Sequence, residues 1–266
     1  TKIAVFEIGM SAKNEISPLT KLLKPDIAII TEIAPAHLAN FASVEEIADS
    51  KMEIFDGLDK DSGIVIIPGS SIYSKYMLDK IKYRGFSNIL TFGAEDHNNA
   101  IYSHYDYINA ISSFRIKLGH NHIYHCKTPL YGKNNMHNIS CALLTASCLG
   151  IDIDKAISGL DALKVLEGRG NVLKVKFKGQ IIEIINDAYN ASPLSMQSSI
   201  EKLQFFKGNC GLILGSMLEL GKESQDYHAA LLPYIIKAYP NKLILVGKEM
   251  KYLYDKIKRY EIACYY

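Results

Sequence analysis

The chain has 266 residues, 48% of them hydrophobic and 22% charged, with a formal net charge of +2 at pH 7. That length accommodates two cores of ordinary domain size, and the nearly balanced charge argues against nucleic acid or an anionic membrane surface as partner. No apolar run reaches the ~18 residues of a membrane span, and the five cysteines show no CxxC or other metal spacing, which reads as reduced thiols in a cytoplasmic protein.

Taken in chain order, the first part alternates apolar strands with amphipathic helices. Strands are expected over 3–8, 26–33, 63–68 and 88–92, with helices near 15–23, 43–57 and 71–83. The strand runs IAVF, IAII and IVII are almost continuously apolar, as strands are when helices cover both faces of a mostly parallel sheet. From about 100 to 130 the pattern becomes aromatic-rich and loosely alternating, which predicts a small antiparallel sheet or ribbon appended to the first. Helices follow near 134–149 and 153–163. A glycine-flanked arginine at 168–170 marks a hinge. Beyond it the spacing predicts a strand pair over 171–186, helices over 193–206, 223–238 and 248–259, and strands over 210–216 and 242–246. This is a second, Rossmann-like α/β unit. The first residues already lie inside a strand run and IACYY closes on no recognisable element, so both ends read as interior to a longer protein.

Three residues stand out along the first part. Glu7 closes the AVFEIG run, His37 follows the run DIAIITEI, and Lys51 lies on the next helix. Parallel strands bring their ends to one edge, where open α/β sheets place ligand crevices. A carboxylate, an imidazole and a lysine at that edge suit Mg²⁺ and phosphate. Each taken alone has a plainer reading: a solvated carboxylate, a hydrogen-bonded loop histidine and a helix-surface lysine. The cluster His120, Asn121, His122 and His125 is read as strand residues divided between two faces rather than as a zinc site. The 17 tyrosines are read as cover for a sheet face.

The words AVFEIGMSAKNEI, ITEIAPAHLANFASVEEIADSKMEIF, NDAYNASPLSM and LGSMLELGKES, in this order, resemble the Mur ligase family over nearly the whole chain. The resemblance implies a central ATP-binding domain over 1–168, truncated at its N-terminal side, and a truncated C-terminal domain over 169–266. It implies that Glu7, His37 and Lys51 hold two Mg²⁺ ions, with Lys51 carbamylated by CO₂. It implies that Asn135 reads adenine, that Arg169 reaches the γ-phosphate, and that Asp187 contacts the ribose, with Lys51, His37 and Arg169 serving catalysis. The activity implied is an ATP-dependent amide ligation in peptidoglycan precursor synthesis, by a monomer without nucleic-acid or membrane partners. A UDP-muramoyl peptide is activated as an acyl phosphate and then joined to D-Ala-D-Ala, with domain closure bringing Asp187 and Arg169 toward the nucleotide.

The family's G-x-x-x-x-G-K-[ST] phosphate loop does not occur in this sequence, since in the family it precedes the Glu7 strand. The fragment itself is therefore expected to be inactive, with weak nucleotide affinity. Glu32, Pro68 to Ser71, Asn134, Ser192 and Ser216 depart from the family's usual words. A degenerate nucleotide-binding module, or another amino-acid ligase of the same family, stands as the alternative.

Overall fold

The computed structural model describes residues 2–35, 38, 40–108, 111–119, 122–206 and 208–266. The first apolar run departs from its expectation. Residues 2–10 carry no regular structure, and Val5 and Phe6 are 92% and 63% exposed. A strand exists only through a hydrogen-bonded neighbour, and the run takes no place in any of the sheets. Continuous hydrophobicity meets the sequence rule for a buried strand without supplying that neighbour.

The regular structure begins with α1 (Ile16–Leu23), whose preceding residue makes no side-chain cap. Its opening turn is satisfied from elsewhere. Asn14 N donates to Glu53 Oε1 at 2.7 Å, and Ile16 N and Ser17 N donate to Glu53 Oε2 at 3.2 and 3.1 Å. A carboxylate at a helix N-terminus also complements the macrodipole. Glu53 is delivered by a 3-10 turn, Met52–Gly57, that continues α2 (Val44–Lys51), so the helix expected over 43–57 tightens part-way. Ser43 caps α2 by accepting from Glu46 N.

The strands β1 (Ile27–Ile29), β2 (Ile64–Pro68), β3 (Ile89–Gly93), β4 (Ala100–Ile108), β5 (Ile111–Leu118) and β6 (His122–Thr128) form one six-stranded sheet in chain order. The pairs β1–β2, β2–β3 and β3–β4 are parallel. The aromatic-rich run is thus appended to the first sheet as further strands of it. Helix α3 (Ser74–Tyr83) lies between β2 and β3 in sequence, and Met77 and Ile81 from it join Val65, Ile67, Met52 and Phe55 in the core. Then come α4 (Lys133–Cys148) and α5 (Ile153–Ser158).

The small antiparallel sheet is the hairpin β7 (Asn171–Phe177) and β8 (Gln180–Asn186), paired from Asn171↔Asn186 to Phe177↔Gln180. It is followed by α6 (Pro193–Glu201), β9 (Gly211–Gly215), α7 (Ser224–Ala229), α8 (Leu232–Ala238), β10 (Lys242–Val246), α9 (Lys251–Ile257) and β11 (Cys264–Tyr265). β11, β10 and β9 make a parallel three-stranded sheet. The IACYY ending is therefore a strand, contrary to its expectation: two residues are too few to show alternation, and pairing with β10 defines them. The single helix expected over 223–238 is split by Pro233 in the first turn of α8, where its missing N–H interrupts nothing.

The chain divides into two compact units, one of residues 1–103, 115–125 and 136–156, the other of 104–114, 126–135 and 157–266. Among the described residues no helix is long and apolar enough to cross a membrane. Because charge-assisted bonds into one buried carboxylate each contribute on the order of 1.5–3 kcal/mol, Glu53→Ala is expected to lower the unfolding free energy by about 2–4 kcal/mol in urea denaturation, and Glu53→Gln by less.

Candidate functional site

Candidate residues gather in two places, each within one unit. In the first unit, β1 runs out at Ile29, and Ile30 N still donates to Ile66 O at 3.0 Å, which fixes where Thr31 and Glu32 leave the sheet. Lys51, the last residue of α2, reaches that turn: its Nζ donates to the Glu32 carbonyl at 2.7 Å. Burial holds the Lys51 ammonium below its ordinary value, against the pull of the Glu32 carboxylate. From α4, His137 Nε2 donates to the Thr31 carbonyl at 3.3 Å and lies 3.9 Å from Glu32 Oε2. The His137 ring packs on Phe92 at 4.5 Å between centroids and edge-on to Tyr102 at 5.9 Å. Burial lowers its pKa too, with Glu32 opposing the shift.

Of the metal-site trio, then, Lys51 is half-buried and bonded to the segment at Thr31 and Glu32 that His137 also contacts. Glu7 is exposed on the irregular segment 2–10, and no hydrogen bond or ion pair among the described residues joins it to Lys51. His37 lies outside the described residues. Among those described, no three His, Cys, Asp or Glu side chains gather as a metal-binding group. The donor chemistry fits Mg²⁺ in one form only: a carboxylate and a carbamate offer the hard oxygens it prefers, whereas the Lys51 ammonium would repel it. His122 and His125, on β6, fall on opposite faces of the strand, while His120 and Asn121 lie outside the described residues.

The second cluster lies in the other unit, at the open end of the β7–β8 hairpin. Gly168 has φ +73°, and a Cβ there would meet the Tyr189 Cβ at 3.0 Å, so the turn needs glycine. Gly168 N donates to Asn171 Oδ1 at 2.7 Å, Tyr189 N donates to Gly168 O at 3.0 Å, and Gly170 N donates to Asn186 O at 2.8 Å. These bonds hold the 168–170 turn against the NDAYN word. Arg169 stacks its guanidinium over the Tyr189 ring, 4.1 Å from the centroid. Asp187 Oδ2 accepts from Lys202 Nζ at 2.7 Å and from Ser199 Oγ. Asn135 Nδ2 donates to the Tyr131 carbonyl at 2.8 Å, and the Tyr131 hydroxyl donates to the Lys202 carbonyl at 2.8 Å. Asn135 and Asp187 are therefore joined through Tyr131 and Lys202, and the 168–170 turn ties Arg169 to the same word by backbone bonds. Ser192 and Ser195 form the capping box of α6, so a serine in place of the family's usual asparagine still caps that helix.

The model of the Mur ligase middle domain matches residues 1–146, and that of the Mur ligase, glutamate ligase domain matches residues 168–265. The chain belongs to the Mur ligase family. The UDP-N-acetylmuramoyl-tripeptide–D-alanyl-D-alanine ligase of Rickettsia prowazekii is 36% identical over 256 residues, 96% of this chain and 56% of that protein. The ligase of the same name from Bacillus subtilis is 35% identical over 230 residues, 86% of this chain and 47% of that protein. In fold, this Mur ligase chain matches MurF from Acinetobacter baumannii with a TM-score of 0.84 at 21% identity, over 97% of this chain and 54% of that one. It matches MurF ligase from Thermotoga maritima, solved with ADP, at 0.80 and 26% identity, over 91% and 54%. The chain spans about half the length of the curated relatives it matches.

Sequence reasoning passed over three residues of this Mur ligase. His137 and Lys202 each read as polar residues on a helix face. His228, fully buried, donates from Nδ1 to Ser224 O at 2.6 Å and accepts at Nε2 from Met217 N at 3.0 Å, anchoring the LELG loop. The signal available for His228 was its place in the helical period of QDYHAALL.

The lowered pKa of His137 carries a pH dependence. Below the ordinary histidine value near 6.5 the unfolded chain binds a proton that the folded chain still refuses, so this contribution is whole above 6.5 and is lost as pH falls through the lowered folded value. Urea titrations at pH 7 and pH 5 are expected to show a smaller acid-induced loss of stability in His137→Gln than in the wild type.

Proposed function

We propose that this chain is the catalytic part of an ATP-dependent ligase that joins D-Ala-D-Ala to a UDP-muramoyl tripeptide in the cytoplasm, acting as a monomer with a central domain over 1–168 and a C-terminal domain over 169–266. The observation that carries this reading is the 36% identity over 256 residues to the Rickettsia enzyme of that specificity, because the match covers 96% of this chain.

In the reaction, the terminal carboxylate of the muramoyl peptide attacks the γ-phosphorus of ATP, and ADP leaves. The amine of D-Ala-D-Ala then adds to the acyl carbon, and the tetrahedral adduct expels phosphate while the nitrogen loses its proton. Such transfers depend on positioning and on positive charge around the migrating phosphoryl group. Arg169 supplies a fork of donors for the γ-phosphate, and its stack on Tyr189 limits the side-chain freedom lost on binding. Asp187 accepts from the ribose hydroxyls. Asn135, with Nδ2 committed to Tyr131, reads the exocyclic amine of adenine through Oδ1.

Glu7, His37 and a carbamylated Lys51 are the proposed holders of two Mg²⁺ ions, which when bound would neutralise phosphate charge. Carbamylation requires a neutral amine, and the burial that lowers the Lys51 pKa favours that form.

The test uses the full-length gene product with ATP, UDP-muramoyl tripeptide and D-Ala-D-Ala, following phosphate release. Turnover should need all three substrates, and Glu7→Ala and Lys51→Ala should each lower kcat by at least about 100-fold, the scale of removing a key electrostatic contact. Wild-type turnover in both variants would refute the metal-site assignment, and nucleotide binding without turnover in the wild type would make the protein a binding module.

A further inference from the structure

One charged residue in the second cluster has no part in the proposed chemistry and yet contacts both Asp187 and Tyr131. Lys202 stands at the junction of α6 with the 3-10 turn Lys202–Phe205, and its side chain is only 12% exposed. Its Nζ donates to Asp187 Oδ2 at 2.7 Å, and the same oxygen accepts from Ser199 Oγ. Its backbone carbonyl accepts from the Tyr131 hydroxyl at 2.8 Å, while the Tyr131 carbonyl holds the Asn135 amide. The Nζ also lies 5.6 Å from the centre of the Tyr131 ring.

The stem of Lys202 reaches Asp187 past glycine. At Gly132, with φ +99°, an added Cβ would come within 2.9 Å of Lys202 Cε, so a side chain there would collide with it. At the far end, Phe205 and Phe206 pack on Tyr131 at 6.3 and 5.6 Å between centroids, and Phe205 meets Tyr105 edge-on at 5.5 Å. The lysine is thus fixed at its backbone by aromatic packing and at its tip by a carboxylate. An isolated carboxylate in such surroundings would repel a polyphosphate and be costly to desolvate.

We infer that Lys202 is a positioning residue for nucleotide: one side chain and one carbonyl set the Asp187 carboxylate and the Asn135-bearing turn in their binding geometry before the ligand arrives. This rests on the reading of Asp187 as the ribose contact. Lys202 acts through Asp187 and Tyr131 and does not itself touch the nucleotide.

The experiment measures ADP affinity by calorimetry for the full-length gene product and its variants, with thermal melts alongside. Lys202→Met is expected to weaken ADP about tenfold and Lys202→Arg by less than about threefold, since a guanidinium can renew the ion pair. The double variant Lys202→Met/Asp187→Asn should bind ADP no more weakly than Asp187→Asn alone, the mark of two residues acting as one unit. Losses that multiply independently would overturn the inference, as would wild-type affinity in Lys202→Met while Asp187→Asn is impaired. Wild-type affinity in Asp187→Asn would instead remove the ribose reading, and the inference with it; an absence of ADP binding by the wild type would do the same. If Lys202→Met melts too early to assay, Ser199→Ala carries the test: weaker ADP binding supports the positioning role, and unchanged binding overturns it.

Discussion

Parallel pairing is the constraint on which the first unit depends. Strands that run the same way must all end on the same side, so the residues leaving β1, β2 and β3 are delivered to one edge whatever their side chains are. Thr31 and Glu32 follow β1 there, Ser70 follows β2, and Glu95 follows β3, where the Ser70 hydroxyl donates to the Glu95 carboxylate. α2 then only has to end near that edge for Lys51 to reach the Glu32 carbonyl. The chemistry of this region is a by-product of topology before it is a property of any residue.

Two partly buried lysines, Lys51 and Lys202, show how differently one side chain can be treated. Lys51 is given a carbonyl at hydrogen-bond distance, and burial depresses its pKa, which favours the neutral, nucleophilic amine. Lys202 is given a full carboxylate, Asp187, at 2.7 Å. Lys51 thus ends on a neutral acceptor and Lys202 on an anionic one.

Much of this was readable in the residue pattern. The apolar runs located β2, β3, β9 and β10 to within a residue or so, and α4 differs from its expected bounds by one residue at each end. What escaped depends on distant partners. The IAVF run has the composition of a buried strand, but hydrophobicity does not guarantee a ladder. Lys202, beside Glu201 at the end of an amphipathic helix, has the pattern of a surface residue; only the fold of 126–135 against α6 and its following turn buries it. His137 likewise becomes notable only when α4 brings it to the carbonyl of Thr31, more than a hundred residues earlier. The capping of α1 by Glu53 is of the same kind, for nothing local to Ile16 announces it.

The turn at Gly168 has a bearing on how this protein can change over generations. Its backbone is left-handed and its α-carbon lies against Tyr189, so a replacement by alanine or serine meets both a conformational penalty and a steric one. The neighbouring arginine draws its place from that glycine and its stacking partner from the same tyrosine. A lineage that altered either support would misplace the guanidinium while leaving its codon untouched.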